Sequence, residues 1–285
     1  MRHTEIMNSF RSLAAALALM GTAQVAQAGC GAAPEPCAID TGTYHISLPD
    51  GPPKGAIMFL HGYGGTGNAS LRPDGWAGRA LARGYAVIGP DGTEMAGRNG
   101  RRWSFHPDFP QDRDEVGFLM AVRDDAAKRF DLDAGQMVLG GFSIGGSMTH
   151  YAACAAPDAF AAYVPVAGAF WRPDPATCAG PVRLLHTHGW RDTTVPLEGR
   201  VLRGADLNDP QAVAQGDVFH AMRLWRQVNG CVQLRADRFV TEGPFLRRAW
   251  DRCTPGTALE FALFEGGHRV PDGWIDMALD WREGL

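Results

Sequence analysis

Gly141-Phe142-Ser143-Ile144-Gly145 sets a serine between two glycines, directly behind the apolar stretch Met137-Val138-Leu139. This is the pattern of a nucleophile elbow, a sharp strand-to-helix turn that holds a hydroxyl clear of the backbone. Side chains at the flanking positions would collide with neighbouring backbone, and glycine at 141 and 145 removes that collision. The small and apolar residues 146–153 suit a following helix, whose N-terminus favours negative charge beside the serine. The chemistry open to such a serine is acyl transfer through a covalent intermediate.

An elbow serine is inert without a base, and the base needs an acid to orient it. In open α/β sheets these follow in chain order as Ser, then Asp or Glu, then His, each at the carboxyl end of a strand. Of nine histidines, only His220 and His268 lie well beyond both Ser143 and a plausible acid. His220 belongs to an amphipathic helical stretch, whereas Glu265-Gly266-Gly267-His268 follows the last apolar strand on a glycine loop, so the base is assigned to His268. Asp192 stands in the loop behind the apolar run 182–185, in His186-Thr187-His188-Gly189-Trp190-Arg191-Asp192, and takes the role of acid. Its carboxylate would fix the imidazole tautomer and stabilise the imidazolium.

Oxyanion donors are sought where such sheets place them. His61-Gly62-Tyr63-Gly64-Gly65 follows the strand ending at Leu60, so the amides of Tyr63 and Ile144 are the candidates. His61 is expected to brace this loop rather than to transfer protons. His186-x-His188 with Asp192 offers metal-ligating residue types but lacks a convincing third partner, so no metal is assigned there. No cofactor is required by this chemistry.

The elements that must position these residues are legible as a βα alternation, which predicts an α/β fold with a mostly parallel sheet flanked by helices. Buried strands are expected at 56–60, 85–88, 137–139, 163–166, 182–185 and 259–264, with an edge-type antiparallel strand at 43–48. Helical spacing of apolar residues marks 114–130, the stretch from Val218 to Val228, and 274–281. Residues 93–111 and 198–216 break the pattern, and loops of such length tend to border sites.

Composition narrows the setting. Residues 1–28 read as a secretory signal peptide, with Arg2 and Arg11 ahead of an apolar core and Ala26-Gln27-Ala28 as a small-x-small cleavage site. The apolar run is too short for a membrane anchor, so a secreted or periplasmic protein is expected. Residues 29–285 suit one catalytic domain. The net charge of −4 comes without a basic tract, which argues against a nucleic-acid partner, and no oligomeric state is assigned. All six cysteines lie beyond residue 28, and an even number in an exported chain points to disulfides. Six allow fifteen connectivities; nearest neighbours in sequence would pair Cys30 with Cys37, Cys154 with Cys178, and Cys231 with Cys253.

The chain resembles the polyhydroxybutyrate depolymerase and feruloyl esterase family of α/β hydrolases over nearly all of residues 29–285. The resemblance rests on Leu60-His61-Gly62-Tyr63-Gly64-Gly65, Asp114-Glu115-Val116-Gly117-Phe118-Leu119, Gly141-Phe142-Ser143-Ile144-Gly145-Gly146, His188-Gly189 with Asp192 and Val195-Pro196, Asn229-Gly230-Cys231, Cys253, and Gly266-Gly267-His268. It implies an α/β-hydrolase fold, a serine esterase with Ser143, Asp192 and His268 as nucleophile, acid and base, and a Cys231–Cys253 disulfide beside the last strand. The implied substrates are small esters or oligoesters, either hydroxyalkanoate oligomers or aromatic acyl esters of the feruloyl and acetyl-xylan kind. A peptidase on the same fold and a catalytically silent binding protein are the alternatives. After His268 the family usually continues Thr-Trp-Pro, where this chain has Arg269-Val270-Pro271. Trp103, Phe105, Trp171 and Trp190 are candidates for the aromatic wall of the cleft. The chain ends soon after its final helix, so no polymer-binding domain is expected and soluble esters are favoured over polymer.

Overall fold

The computed structural model describes residues 29–107, 109–209 and 212–285, and the expected signal peptide at 1–28 lies outside them. The main sheet contains β1 (Cys37–Ile39), β2 (Gly42–Ser47), β3 (Gly55–Leu60), β4 (Tyr85–Pro90), β5 (Met137–Phe142), β6 (Ala162–Val166), β7 (Arg183–Gly189), β8 (Arg238–Glu242), β9 (Phe245–Trp250) and β10 (Ala258–Phe264). Across the sheet they run β1-β2-β4-β3-β5-β6-β7-β10-β9-β8. The six strands from β4 to β10 are mutually parallel. An antiparallel ribbon closes each side.

The parallel strands form because both of their faces are covered, as their nearly unbroken apolar sequences require. In β3, Met58 and Leu60 turn to one face while Ile57 and Phe59 turn to the other, the two-residue period of a strand. The first face packs against α2 (Glu115–Phe130), α3 (Ile144–Ala155) and α4 (Val218–Val228), through Phe118, Leu119, Met148, Met222 and Trp225. The second packs against α1 (Trp76–Ala82) and α5 (Trp274–Glu283), where Phe59 meets Trp76 and Trp274 at ring separations of 4.5 and 5.3 Å. Asp114 starts α2 by accepting from the Gly117 amide, and Asp217 starts α4 by accepting from the amides of Phe219 and His220.

The six expected core strands all form, each one to three residues longer than its apolar run. One expectation is corrected: the strand at 43–48 is antiparallel but is not an edge, because β1 pairs along its outer side. Beyond β10 the sheet continues through the hairpin β8–β9, which the sequence pattern did not mark. No helix among the described residues is long and apolar enough to cross a membrane.

Three disulfides join Cys30 to Cys37, Cys154 to Cys178, and Cys231 to Cys253. The third ties the C-terminal end of α4 to the turn between β9 and β10, closing 22 residues of chain. A bridge over such a loop contributes roughly 2–5 kcal/mol by restricting the unfolded chain. The double variant Cys231→Ser with Cys253→Ser should therefore melt roughly 5–12 °C lower in calorimetry. An unchanged melting temperature would show that the loop is held by other contacts.

Candidate active site

The elbow is built where β5 meets α3. Ser143 has φ 59° and ψ −122°, a backbone conformation disfavoured for any residue with a side chain. It is held there from both sides: its N–H donates to the Val166 carbonyl of β6 at 3.0 Å, and its carbonyl accepts from the Ser147 amide at 2.9 Å. A Cβ at Gly141 would stand 2.3 Å from the Gly145 carbonyl oxygen, and one at Gly145 would stand 2.3 Å from that of Leu60. Both glycines are thus required by close backbone approach, as the motif implied.

Asp192 and His268 come from the loops after β7 and β10, two adjacent strands that pair in parallel up to Gly189 and Phe264. Their loops stay joined past the sheet: the Trp190 amide donates to the Phe264 carbonyl at 2.9 Å, and the Arg191 amide to that of Gly266 at 2.8 Å. This register carries Asp192 to His268. His268 Nδ1 lies 2.7 Å from Asp192 Oδ2, and His268 Nε2 lies 2.9 Å from Ser143 Oγ. The Phe142 ring packs against the imidazole at 4.6 Å. The other Asp192 oxygen accepts from the amides of Thr194 and Val195, each at 2.9 Å. Burial pushes the Asp192 carboxyl up, but hydrogen bonds from His268 and the Val195 amide outweigh it and hold the group below its ordinary value. His220 lies elsewhere, on α4, where Arg223 donates to its Nδ1 at 2.8 Å.

Tyr63 and Ile144 bring their amides to the same end of the sheet, at the exit of β3 and the first turn of α3. Neither amide is donated to another group among the described residues. The loop that carries Tyr63 is braced by His61, which is buried between two backbone partners. Its Nε2 accepts from the Gly92 amide at 3.0 Å, which leaves Nδ1 to donate to the Gly62 carbonyl at 2.8 Å. Burial lowers the His61 pKa, in keeping with a neutral imidazole locked in that tautomer. The Trp103 indole N–H donates to the His61 carbonyl at 2.9 Å.

Two carboxylates that the sequence reading did not single out as functional hold this region. Asp91, at the exit of β4, accepts from the Gly67 amide and the Thr43 hydroxyl, both at 2.9 Å, and faces His45 at 3.3 Å. Burial raises its pKa, yet the hydrogen bonds from His45, Gly67 and Thr43 prevail and pull it down to about 2. Glu115 is buried and accepts from the Ser104 amide and from Arg113, so it anchors the irregular segment 93–111 to α2. The signal for Glu115 was an acidic residue inside an apolar helix face.

That segment forms one wall of a cleft of about 450 Å³ beside the elbow, with Tyr63, Ile144, Trp103, Phe105, Phe109 and Trp171 among its lining. The second loose segment adds Arg203 to the lining. Its residues Arg200–Val201 and Ala214–Gln215 form a small antiparallel sheet with Trp171–Arg172, which fixes Trp171 against Phe105 at 5.4 Å. Trp103 lines the cleft from an almost fully buried position. Trp190 does not line it: the residue is 63% exposed and borders a separate groove with Phe219, Leu234 and Phe239. Trp190 lies in the turn that follows β7, outside the strand.

The sequence profile of the family described as phospholipase/carboxylesterase matches residues 42–222, a span that holds Ser143 and Asp192. The chain belongs to that family. Among its curated relatives, feruloyl esterase B of Piromyces equi is 28% identical over 230 residues, covering 77% of this chain and 41% of the relative. Feruloyl esterase C of Emericella nidulans is 28% identical over 172 residues, covering 55% of this chain and 57% of the relative. The chain thus spans about half the length of the curated relatives it matches. Among solved structures, an acetyl xylan esterase from Aspergillus awamori superposes with a TM-score of 0.60 at 16% identity, over 85% of this chain and 94% of that one. A carboxylesterase from Mesorhizobium loti gives 0.58 at 18% identity, over 85% and 95%. These likenesses establish the α/β-hydrolase fold expected from the sequence, and the family assignment agrees with the feruloyl esterase side of the resemblance.

Proposed function

We propose that this chain is a serine carboxylesterase acting through an acyl-enzyme, with Ser143 as nucleophile, His268 as base and Asp192 as acid. The observation that carries the reading is the hydrogen-bonded line from Asp192 through His268 to Ser143, at 2.7 and 2.9 Å, beside two undonated amides at the mouth of a cleft. Ser143 Oγ attacks the ester carbonyl carbon and its proton passes to His268 Nε2, while Nδ1–H stays bonded to Asp192. The amides of Tyr63 and Ile144 receive the developing oxyanion. The intermediate collapses to acyl-Ser143 as His268 gives its proton to the departing alcohol. Water then repeats the sequence and releases the acid. No cofactor takes part in these steps.

The substrate reading is an aromatic acyl ester of the feruloyl type. Trp103, Phe105, Phe109, Trp171 and Tyr63 offer flat apolar surfaces to a planar acyl group, and relatives bear the name feruloyl esterase. Three disulfides favour an oxidising compartment, in line with export directed by residues 1–28. A panel of acetyl, butyryl, feruloyl and hydroxybutyrate-oligomer esters tests the assignment. Feruloyl esters should lead in kcat/KM by at least about tenfold, or ~1.4 kcal/mol of extra transition-state binding. Faster turnover of hydroxybutyrate oligomers would move the protein to the depolymerase side of its resemblance.

A further inference from the structure

Behind Asp192 lies a row of side chains that the chemistry above does not use. His150 of α3 and His186 and His188 of β7 are all fully buried, and their rings follow one another at 5.0 and 5.2 Å. At one end the Trp225 indole N–H of α4 donates to His150 Nδ1 at 3.0 Å. His150 Nε2 then meets His186 Nδ1 at 2.8 Å, and His186 Nε2 meets His188 Nδ1 at 2.9 Å. At the other end His188 Nε2 lies 2.8 Å from the Val195 carbonyl and 3.6 Å from Asp192 Oδ2.

The polarity of this row is fixed from both termini. An indole nitrogen only donates and a carbonyl only accepts, so each imidazole must accept at Nδ1 and donate from Nε2. A second proton on any ring would set one N–H against another. Every link therefore points its N–H toward the acid loop, and the last link holds Val195, whose own amide donates to Asp192. We propose that His150, His186 and His188 form a one-way chain of neutral imidazoles that positions the 192–195 loop, with His188 as the positioning residue for Asp192. The chain ties α3, which begins at the elbow, to the loop of the acid, and it lays a positive N–H end beside a buried carboxylate. It relays no proton, because the indole N–H at its start is far too weak an acid to release one. Burial lowers the pKa of His150 to about 3 and that of His186 well below the ordinary value. His188 is also lowered, chiefly by burial, against the opposing influence of Asp192 and Glu198 and together with that of His268.

The role rests on Asp192 being the catalytic acid, and the tests separate the two ideas. In the full-length protein with ¹⁵N-labelled histidine, ring resonances should show His150, His186 and His188 protonated at Nε2 and bare at Nδ1. This should hold unchanged from about pH 5 to about pH 8, where an ordinary histidine changes charge. A cationic ring or an Nδ1–H tautomer in any of the three would overturn the chain. For the positioning role, His188→Leu should lower kcat about 10- to 100-fold, with KM unchanged, and abolish the downfield His268 Nδ1–H resonance. His188→Gln can still donate to the Val195 carbonyl and should recover most of that loss. Full activity in His188→Leu, or an equal loss in both variants, would overturn the positioning role. Should His188→Leu not fold, the tautomer pattern still decides the imidazole chain, and His188→Asn, whose shorter amide cannot reach the Val195 carbonyl, decides the positioning role by the same loss of kcat relative to His188→Gln. Activity surviving in Ser143→Ala would instead overturn the nucleophile assignment while leaving the imidazole chain standing.

Discussion

Ser143→Ala should lower kcat for ester hydrolysis by ~10⁴-fold or more while leaving the melting temperature nearly unchanged. In the proposed mechanism the hydroxyl forms the covalent bond, so its loss would remove the acyl-enzyme route entirely and leave the effect of the undonated amides and of binding. The fold should not notice. The elbow conformation is imposed by the Val166 and Ser147 hydrogen bonds and by the contacts of Gly141 and Gly145, none of which involves Oγ. Circular dichroism and steady-state rates on the same preparation check both halves. Near-normal turnover, with contaminating esterase excluded, would show that another residue is the nucleophile.

Asp192→Asn should cost nearly as much, on the order of 10⁴ in kcat. The carboxylate accepts from His268 Nδ1 at 2.7 Å, and an amide nitrogen in its place would favour the tautomer with Nε2–H facing Ser143. The base would then have no lone pair for the serine proton. The stability effect has a definite sign. The Asp192 pKa is depressed in the folded protein, so ionised Asp192 stabilises the fold fully above the ordinary carboxyl range of about 3.9, and that contribution disappears as pH falls through the lower folded value. Asp192→Asn should remove this part of the acid dependence in melting experiments from about pH 2 to about pH 6. His220→Ala serves as the counterpart and should leave kcat within about twofold, since this half-buried side chain on α4 bonds Arg223 and neither Ser143 nor Asp192. Loss of activity there, with retention in His268→Ala, would reverse the choice between the two late histidines.

Much of this arrangement was legible because chemistry and folding impose the same residues. Gly141 and Gly145 are needed for backbone contact, and the apolar runs at 56–60 and 137–139 announce strands covered on both faces. The spacing of strand, loop and polar residue then narrows the acid to Asp192 and the base to His268. What escaped the sequence depends on distant pairing. The hairpin β8–β9 carries Arg, Glu and Thr among its apolar residues, and every residue of β8 is exposed, so it lacks the alternation that marks a half-buried strand. The Gly243-Pro244 turn signal alone pointed to it. Trp190 was one of four aromatic candidates for the cleft wall, but it lies in the turn after β7 and borders the groove of Phe219, Leu234 and Phe239, a placement set by contacts distant in sequence. Asp91 and Glu115 gain their roles from backbone amides at Gly67 and Ser104, and no local pattern records such long-range contacts. The imidazole row was visible only in part, as His186-x-His188, because His150 and Trp225 join it from two helices.

Labelling the intact protein with a fluorophosphonate and mapping the modified peptide tests the nucleophile most directly. A single adduct on Ser143, formed in parallel with loss of esterase activity and blocked by prior occupation with a slow ester substrate, is the expected result. Stoichiometric inactivation with the adduct on any other residue, or an active enzyme that takes up no label, would contradict it.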